Sequence, residues 1–64
     1  MSLKFQLKQL REQSGLTQQV LARRVGVRQA TISDLETGKS QRISFQLLDL
    51  IARELGIKPR DLFK

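Results

Sequence analysis

Residues 16–39 read LTQQVLARRVGVRQATISDLETGK, two short amphipathic segments separated by a glycine. Thr17 is a residue type that caps helix N-termini, and Gly26 is one that ends helices. We expect a helix between them, and a second helix over residues 29–36 before Gly38. The apolar residues expected to face inward are Val20, Leu21, Ala22 and Val25 in the earlier helix and Ile32 and Leu35 in the later one.

The connection between these two helices is short. Gly26 allows the positive φ that a tight turn requires, and Ala22, four residues earlier, is small enough for two helix backbones to approach at a steep angle. Each feature alone is weak, but together they predict a helix-turn-helix over about residues 17–36.

Three further helices are predicted around this pair. The first begins at the cap Ser2 and ends near Gly15, the fourth lies between the cap Ser44 and Gly56, and a short fifth begins at Pro59. Their apolar residues at helical spacing are Leu3, Leu7 and Leu10 in the first, Phe45, Leu48, Ile51, Ala52 and Leu55 in the fourth, and Leu62 and Phe63 in the fifth. Because no segment shows strand alternation and the connections are short, we expect an all-α, compact five-helix bundle in a single domain, residues 1–64.

The amino-acid composition indicates which classes of molecule the protein could bind. Twelve Lys and Arg against six Asp and Glu give a net charge of +6, which attracts polyanions, nucleic acid first among them. The chain has no cysteine, so it has neither disulfides nor thiolate metal sites. We predict no cofactor, no metal and no membrane partner. The absence of an apolar run near 18 residues leads us to expect a cytoplasmic location.

The polar face of the helix over residues 29–36 has the chemistry to read bases. A glutamine amide such as Gln29 carries a donor and an acceptor side by side, which match N6 and N7 of adenine in the major groove. Arg28 could pair with guanine O6 and N7 or with a phosphate. Asp34 could accept from a cytosine amine. The residues predicted to contact bases are Arg28, Gln29, Ala30, Ser33 and Asp34.

Other side chains would contact phosphates. The N-terminus of the helix before the turn presents free N–H groups towards an anion, together with Gln18. Lys39 and Arg42 lie in the loop that follows the proposed reading helix. The predicted phosphate contacts are Gln18, Thr31, Lys39 and Arg42. A solvated surface role is the alternative for Lys39 and Arg42, as it is for Arg28 and Gln29.

The run over residues 16–39 resembles the helix-turn-helix of the lambdoid phage repressor and Cro family, also called Xre. The resemblance extends over about residues 5–63, and the string RQATIS at residues 28–33 is especially similar to the antitoxin of HipA/HipB-type toxin–antitoxin pairs. The resemblance implies a lambda-repressor-like domain of five helices from a bacterium or phage. It also implies that the domain binds operator DNA as a homodimer on the nucleoid and regulates transcription, usually by repression.

The same resemblance assigns roles to single residues. It implies that Gln18 contacts a phosphate and braces Gln29, and that Arg11 and Glu36 form a structural ion pair. Lys39 and Arg42 correspond to loop positions near the DNA backbone. Three residues depart from the family pattern. Val20 replaces a capping-box glutamate, Arg28 replaces a Ser or Thr cap, and Ser44 replaces an arginine that some phage repressors insert into the minor groove.

Leu47 and Leu50 widen the apolar stripe of the fourth helix towards its outer face. One interpretation is a helix that is buried on a broad side. The other is a dimer or partner surface, which would stabilise a domain with so small a core.

The sequence also bears on other classes of function. An enzyme is disfavoured because the chain lacks His and Cys, its carboxylates are scattered, and no strand precedes a glycine-rich phosphate loop. A non-specific RNA-binding module would need stacking aromatics, and the chain has only three Phe. An antitoxin that neutralises a toxin protein and autoregulates its operon is compatible with the same sequence.

Overall fold

A computed structural model describes residues 5–40 and 42–64 of the chain. In those residues it contains four α-helices: α1 (Leu7–Gln13), α2 (Gln18–Val25), α3 (Gln29–Thr37) and α4 (Phe45–Leu55). The all-α prediction is confirmed, but the count of five helices is wrong. The segment Pro59–Leu62 is a single 3₁₀ turn, which ends because Phe63 is extended. No helix in the described ranges is long and apolar enough to cross a membrane.

One apolar core joins all four helices and the 3₁₀ turn. Its fully buried large side chains are Leu7 from α1, Leu21 from α2, Ile32 from α3, Ile51 from α4 and Leu62 from the turn. Burying one such side chain stabilises the fold by about 1.5–3 kcal/mol. Every helix therefore contributes at least one residue to the same core, and this fixes α2 and α3 against the rest of the molecule.

The predicted caps Thr17 and Ser44 are present. Thr17 Oγ1 accepts a hydrogen bond from the Val20 N–H at 3.1 Å, and Ser44 Oγ accepts one from the Leu47 N–H at 3.1 Å. Gly26 ends α2 with φ of 78°, in the left-handed region that favours glycine. These residues set where α2 and α4 begin and where α2 gives way to the turn.

The start of α1 differs from the prediction. The helix begins at Leu7, because Phe5 forms an isolated antiparallel bridge with Phe63 and lies outside the helix. The Gln6 N–H donates to the Leu62 carbonyl at 2.7 Å, and the Phe5 and Phe63 rings lie 5.2 Å apart. The segment before α1 is therefore held by the 3₁₀ turn. The predicted cap Ser2 and the apolar Leu3 lie outside the described residues.

The prediction for Phe45 is wrong. Helical spacing placed it on the buried stripe of α4, yet its side chain is 83% exposed. Phe45 is the first residue of α4, so it lies at the end of the helix, before the residues that pack on the core. Leu48 and Leu55 are partly buried against the core, and Ile51 and Ala52 are fully buried.

Candidate nucleic-acid interface

The turn between α2 and α3 is stabilised by backbone hydrogen bonds. The Val27 N–H donates to the Ala22 carbonyl at 2.9 Å, and the Gly26 N–H donates to the Arg23 carbonyl at 3.3 Å. Ala22 is itself buried, as expected of a small side chain where two helices approach closely. With Leu21 and Ile32 packed between them, α2 and α3 hold a fixed mutual angle.

The first turn of α3 is the most accessible part of the predicted reading helix. Arg28, Gln29 and Ala30 are consecutive and all exposed. Arg28 is the N-cap residue in an extended conformation, and its side chain makes no capping hydrogen bond. The N-terminus of α3 therefore presents three side chains outward, together with backbone N–H groups that no side chain within residues 5–40 and 42–64 satisfies.

The other predicted α3 contacts are less accessible. Thr31, Ser33 and Asp34 are half-buried, so they lie on the flank of α3. The backbone carbonyl of Asp34 accepts from the Ser40 N–H at 3.1 Å, which holds the start of the following loop against the helix end.

Two cations follow α3. Lys39 and Arg42 are exposed, and within residues 5–40 and 42–64 neither belongs to a salt bridge, nor does Arg28. By contrast, Arg24 and Arg53 pair with carboxylates of α4. In the described ranges these three charges are therefore available to a phosphate, a property that they share with other exposed cations such as Arg23 and Lys58.

A buried ion pair joins α1 to the C-terminal end of α3. Arg11 Nε lies 2.6 Å from Glu36 Oε2, and Arg11 Nη2 lies 3.1 Å from Glu36 Oε1. Arg11 Nη1 also donates to the Leu16 carbonyl at 2.7 Å. The hydrogen bond to Glu36 raises the pKa of Arg11, against the opposing effect of burial. The guanidinium therefore stays charged, and α3 is tied to α1 as the resemblance implied.

Gln18 differs from what the resemblance implied. Its Nε2 donates to Glu36 Oε1 at 3.0 Å, and among the described residues it forms no hydrogen bond with Gln29. Gln18 is the first residue of α2, whereas Glu36 lies in the last turn of α3. No local pattern in the sequence indicates this contact, because the two residues are 18 positions apart and meet only through the helix packing.

The two leucines proposed for a dimer or partner surface do not lie in equivalent surroundings. Leu47 is half-buried and packs against the core, which favours the interpretation of a broadly buried helix for that residue. Leu50 is 46% exposed on α4. Of the two, Leu50 is the one with apolar surface left to cover.

Comparison with known proteins agrees with this geometry. The sequence profile of a family described as helix-turn-helix matches residues 7–62. Two similar proteins from Archaeoglobus fulgidus, each described as an uncharacterized HTH-type transcriptional regulator, are 41% and 39% identical over 61 residues. These alignments cover 95% of this chain and 84% and 86% of the two relatives. The chain therefore belongs to the Xre-type helix-turn-helix family of transcriptional regulators.

Proposed function

We propose that the protein is a sequence-specific transcriptional regulator that binds a palindromic operator as a homodimer and represses the adjoining genes. The observation that carries this proposal is the first turn of α3. There Arg28, Gln29 and Ala30 are exposed at an uncapped helix N-terminus, on a helix whose inner face is packed against α2. A helix held in this way can enter the major groove with its N-terminal residues foremost.

The contacts divide into those that select sequence and those that set position. Gln29 would read adenine through its amide, and Arg28 would read guanine or hold a phosphate. The Ala30 methyl group could meet a thymine methyl, while Ser33 and Asp34 would refine the choice from the flank. Phosphates would be met by Gln18, Thr31, Lys39 and Arg42.

A homodimer would allow the protein to contact two half-sites of the operator at once. A two-fold axis places two recognition helices about 34 Å apart, one turn of the duplex, and so matches a palindrome. Such an interface would cover Leu50, one of two exposed large apolar residues of α4, with Leu47 at its inner edge. A 64-residue domain has little core of its own, so burial between subunits would stabilise it.

A second candidate function is an antitoxin that neutralises a toxin protein and uses the same α3 to autoregulate its operon. The observation that favours it is the exposure of two large apolar side chains, Phe45 at 83% and Leu50 at 46%, which a protein partner would cover. A toxin gene beside this gene, whose product co-purifies with the chain, would support the antitoxin over the plain repressor.

The test is selection of binding sites from a randomised duplex pool. The selected duplex is then titrated against a scrambled one at two salt concentrations. A palindrome with half-sites about one helical turn apart, bound more tightly than scrambled DNA by two subunits, is the expected result. Equal binding of both duplexes would contradict the proposal and leave α3 as a merely basic surface.

A further inference from the structure

Glu36 is the point at which three helices meet through hydrogen bonds. Its two carboxylate oxygens accept from Arg11 Nε on α1, Arg11 Nη2 on α1 and Gln18 Nε2 on α2. The side chain of Glu36 is only 1% exposed, so solvent does not compete for these contacts. Arg11 alone accounts for the ion pair, and the hydrogen bond from Gln18 is an additional one.

The chemistry of the carboxylate determines how the Gln18 amide is turned. An ionised carboxylate can only accept, so it takes the amide nitrogen of Gln18 and repels the amide oxygen. Gln18 is the first residue of α2, where the backbone N–H groups of Gln18 and Gln19 have no partner within the described ranges. Glu36, in the last turn of α3, therefore orients the Gln18 side chain at the N-terminus of α2. In the proposed function, this end of α2 faces a DNA phosphate.

We propose that Glu36 is a positioning residue for DNA binding, which acts by holding the Gln18 side chain in one orientation in the free protein. The proposal rests on the proposed function, because it concerns how that interface is prepared. A side chain that is already ordered loses less conformational freedom when the complex forms.

The chain offers a matched control. Gln19 is the next residue of the same helix, carries the same amide and is exposed. None of the side-chain hydrogen bonds in the part of the chain that the structure describes involves Gln19. A difference between Gln18 and Gln19 therefore reports the contact with Glu36 rather than a general property of glutamine at this helix end.

The first experiment needs only the wild-type chain without DNA. In ¹⁵N-labelled protein, the side-chain amide of Gln18 should exchange with solvent more slowly and be more rigid than that of Gln19. Equal exchange and equal mobility for the two amides would overturn the proposal. This measurement stays decisive even if substitution of Glu36 prevents folding.

The second experiment is a double-mutant cycle on the selected and scrambled duplexes. It compares wild type, E36Q, Q18M and the double variant at a temperature where circular dichroism shows each to be folded. Glutamine at position 36 keeps one acceptor oxygen and puts an NH₂ donor in place of the other, so it cannot accept all three hydrogen bonds that Arg11 and Gln18 donate to the carboxylate. Its neutral amide also binds the Gln18 amide less strongly than the charged carboxylate does. Q19M, combined with E36Q, is the control cycle.

We expect E36Q to weaken operator binding of the wild-type chain by at least about twofold more than it weakens binding of the Q18M variant. With and without Q19M, the effect of E36Q should be equal. An equal loss, or no loss, with and without Q18M would overturn the role of Glu36 while leaving the proposed function intact. A wild-type chain that does not distinguish the two duplexes would instead overturn the proposed function.

Discussion

Arg11 and Glu36 lie 25 residues apart in sequence, and the Nε of one is 2.6 Å from the Oε2 of the other. Their side chains are 9% and 1% exposed, so the pair is buried at the junction of α1 and α3. Since the two groups are removed from water, each depends on the other for its solvation. This pair links the orientation of the recognition helix to the stability of the whole domain.

Replacing Arg11 by Met should therefore destabilise the protein severely. The Glu36 carboxylate would remain buried without its cation, at a cost of about 3–5 kcal/mol in the free energy of unfolding. A domain of this length has a total stability of roughly 3–10 kcal/mol, so R11M should lose a large fraction of it.

Urea unfolding followed by circular dichroism measures this loss. The control is R53M, which breaks the exposed i,i+4 pair between Arg53 and Asp49 on α4, where the side chains are 77% and 45% exposed. R53M should cost less than about 1 kcal/mol. Similar losses from R11M and R53M would contradict the structural role given to the buried pair.

Arg28→Ser should change stability and DNA binding in opposite directions. Arg28 is the N-cap of α3 and makes no capping hydrogen bond, whereas a serine there could accept from the first turn and stabilise the fold by about 1 kcal/mol. The same change removes the guanidinium from the interface and should weaken operator binding by about 1–3 kcal/mol. Thermal unfolding and a DNA titration on the same sample test both effects, and unchanged binding would remove Arg28 from the interface.

Gln29→Ala should relax specificity at one base position. Loss of the amide should cost roughly 1–3 kcal/mol on the selected duplex and much less on scrambled DNA. Site selection repeated with the variant should show that one position of each half-site no longer prefers a base. Gln19→Ala is the matched surface control, and its selected site should be unchanged. If Q29A weakens both duplexes equally, Gln29 does not read a base.

Lys39→Ala should act on affinity without changing sequence preference. Lys39 is exposed directly after the cap of α3, and a phosphate contact there would contribute about one unit to the slope of log K against log salt. Lys58 is the control, because it is an exposed lysine that lies outside α2, α3 and the loop after α3. K58A should leave the slope unchanged. An unchanged slope for K39A would place Lys39 away from the DNA backbone.

Local sequence signals predicted the parts of this fold that local chemistry determines. Thr17 and Ser44 cap the helices that their residue types predicted, and Gly26 ends α2 as expected. The errors concern relations between distant segments. Phe5 leaves the predicted first helix because it pairs with Phe63, and Phe45 is exposed because periodicity gives the buried face of a helix but not how far its neighbours extend along it.

In the candidate site, too, local features could be predicted from the sequence, whereas contacts between distant segments could not. The exposure of Arg28 and Gln29 agrees with the polar face read from the sequence, since it depends only on which side of α3 is apolar. The partner of Gln18 could not be predicted, because the hydrogen bond to Glu36 exists only once α2 and α3 are packed together. The DNA contacts of Arg28, Gln29 and Gln18 remain predictions, which the experiments above test.

The turn needs glycine at position 26 because of the left-handed backbone conformation there, and not because a side chain would lack space. The φ of Gly26 is 78°, yet a Cβ added to it would meet no heavy atom within 4 Å among the described residues, its two chain neighbours aside. An L-alanine would therefore be strained by its own backbone although there is room for its methyl group. A D-alanine, introduced by chemical synthesis, prefers this φ and restricts the unfolded chain, so it should stabilise the protein by about 0.4–1 kcal/mol. The mirror-image residue would thus preserve the angle between α2 and α3 and make the turn more rigid than the natural one.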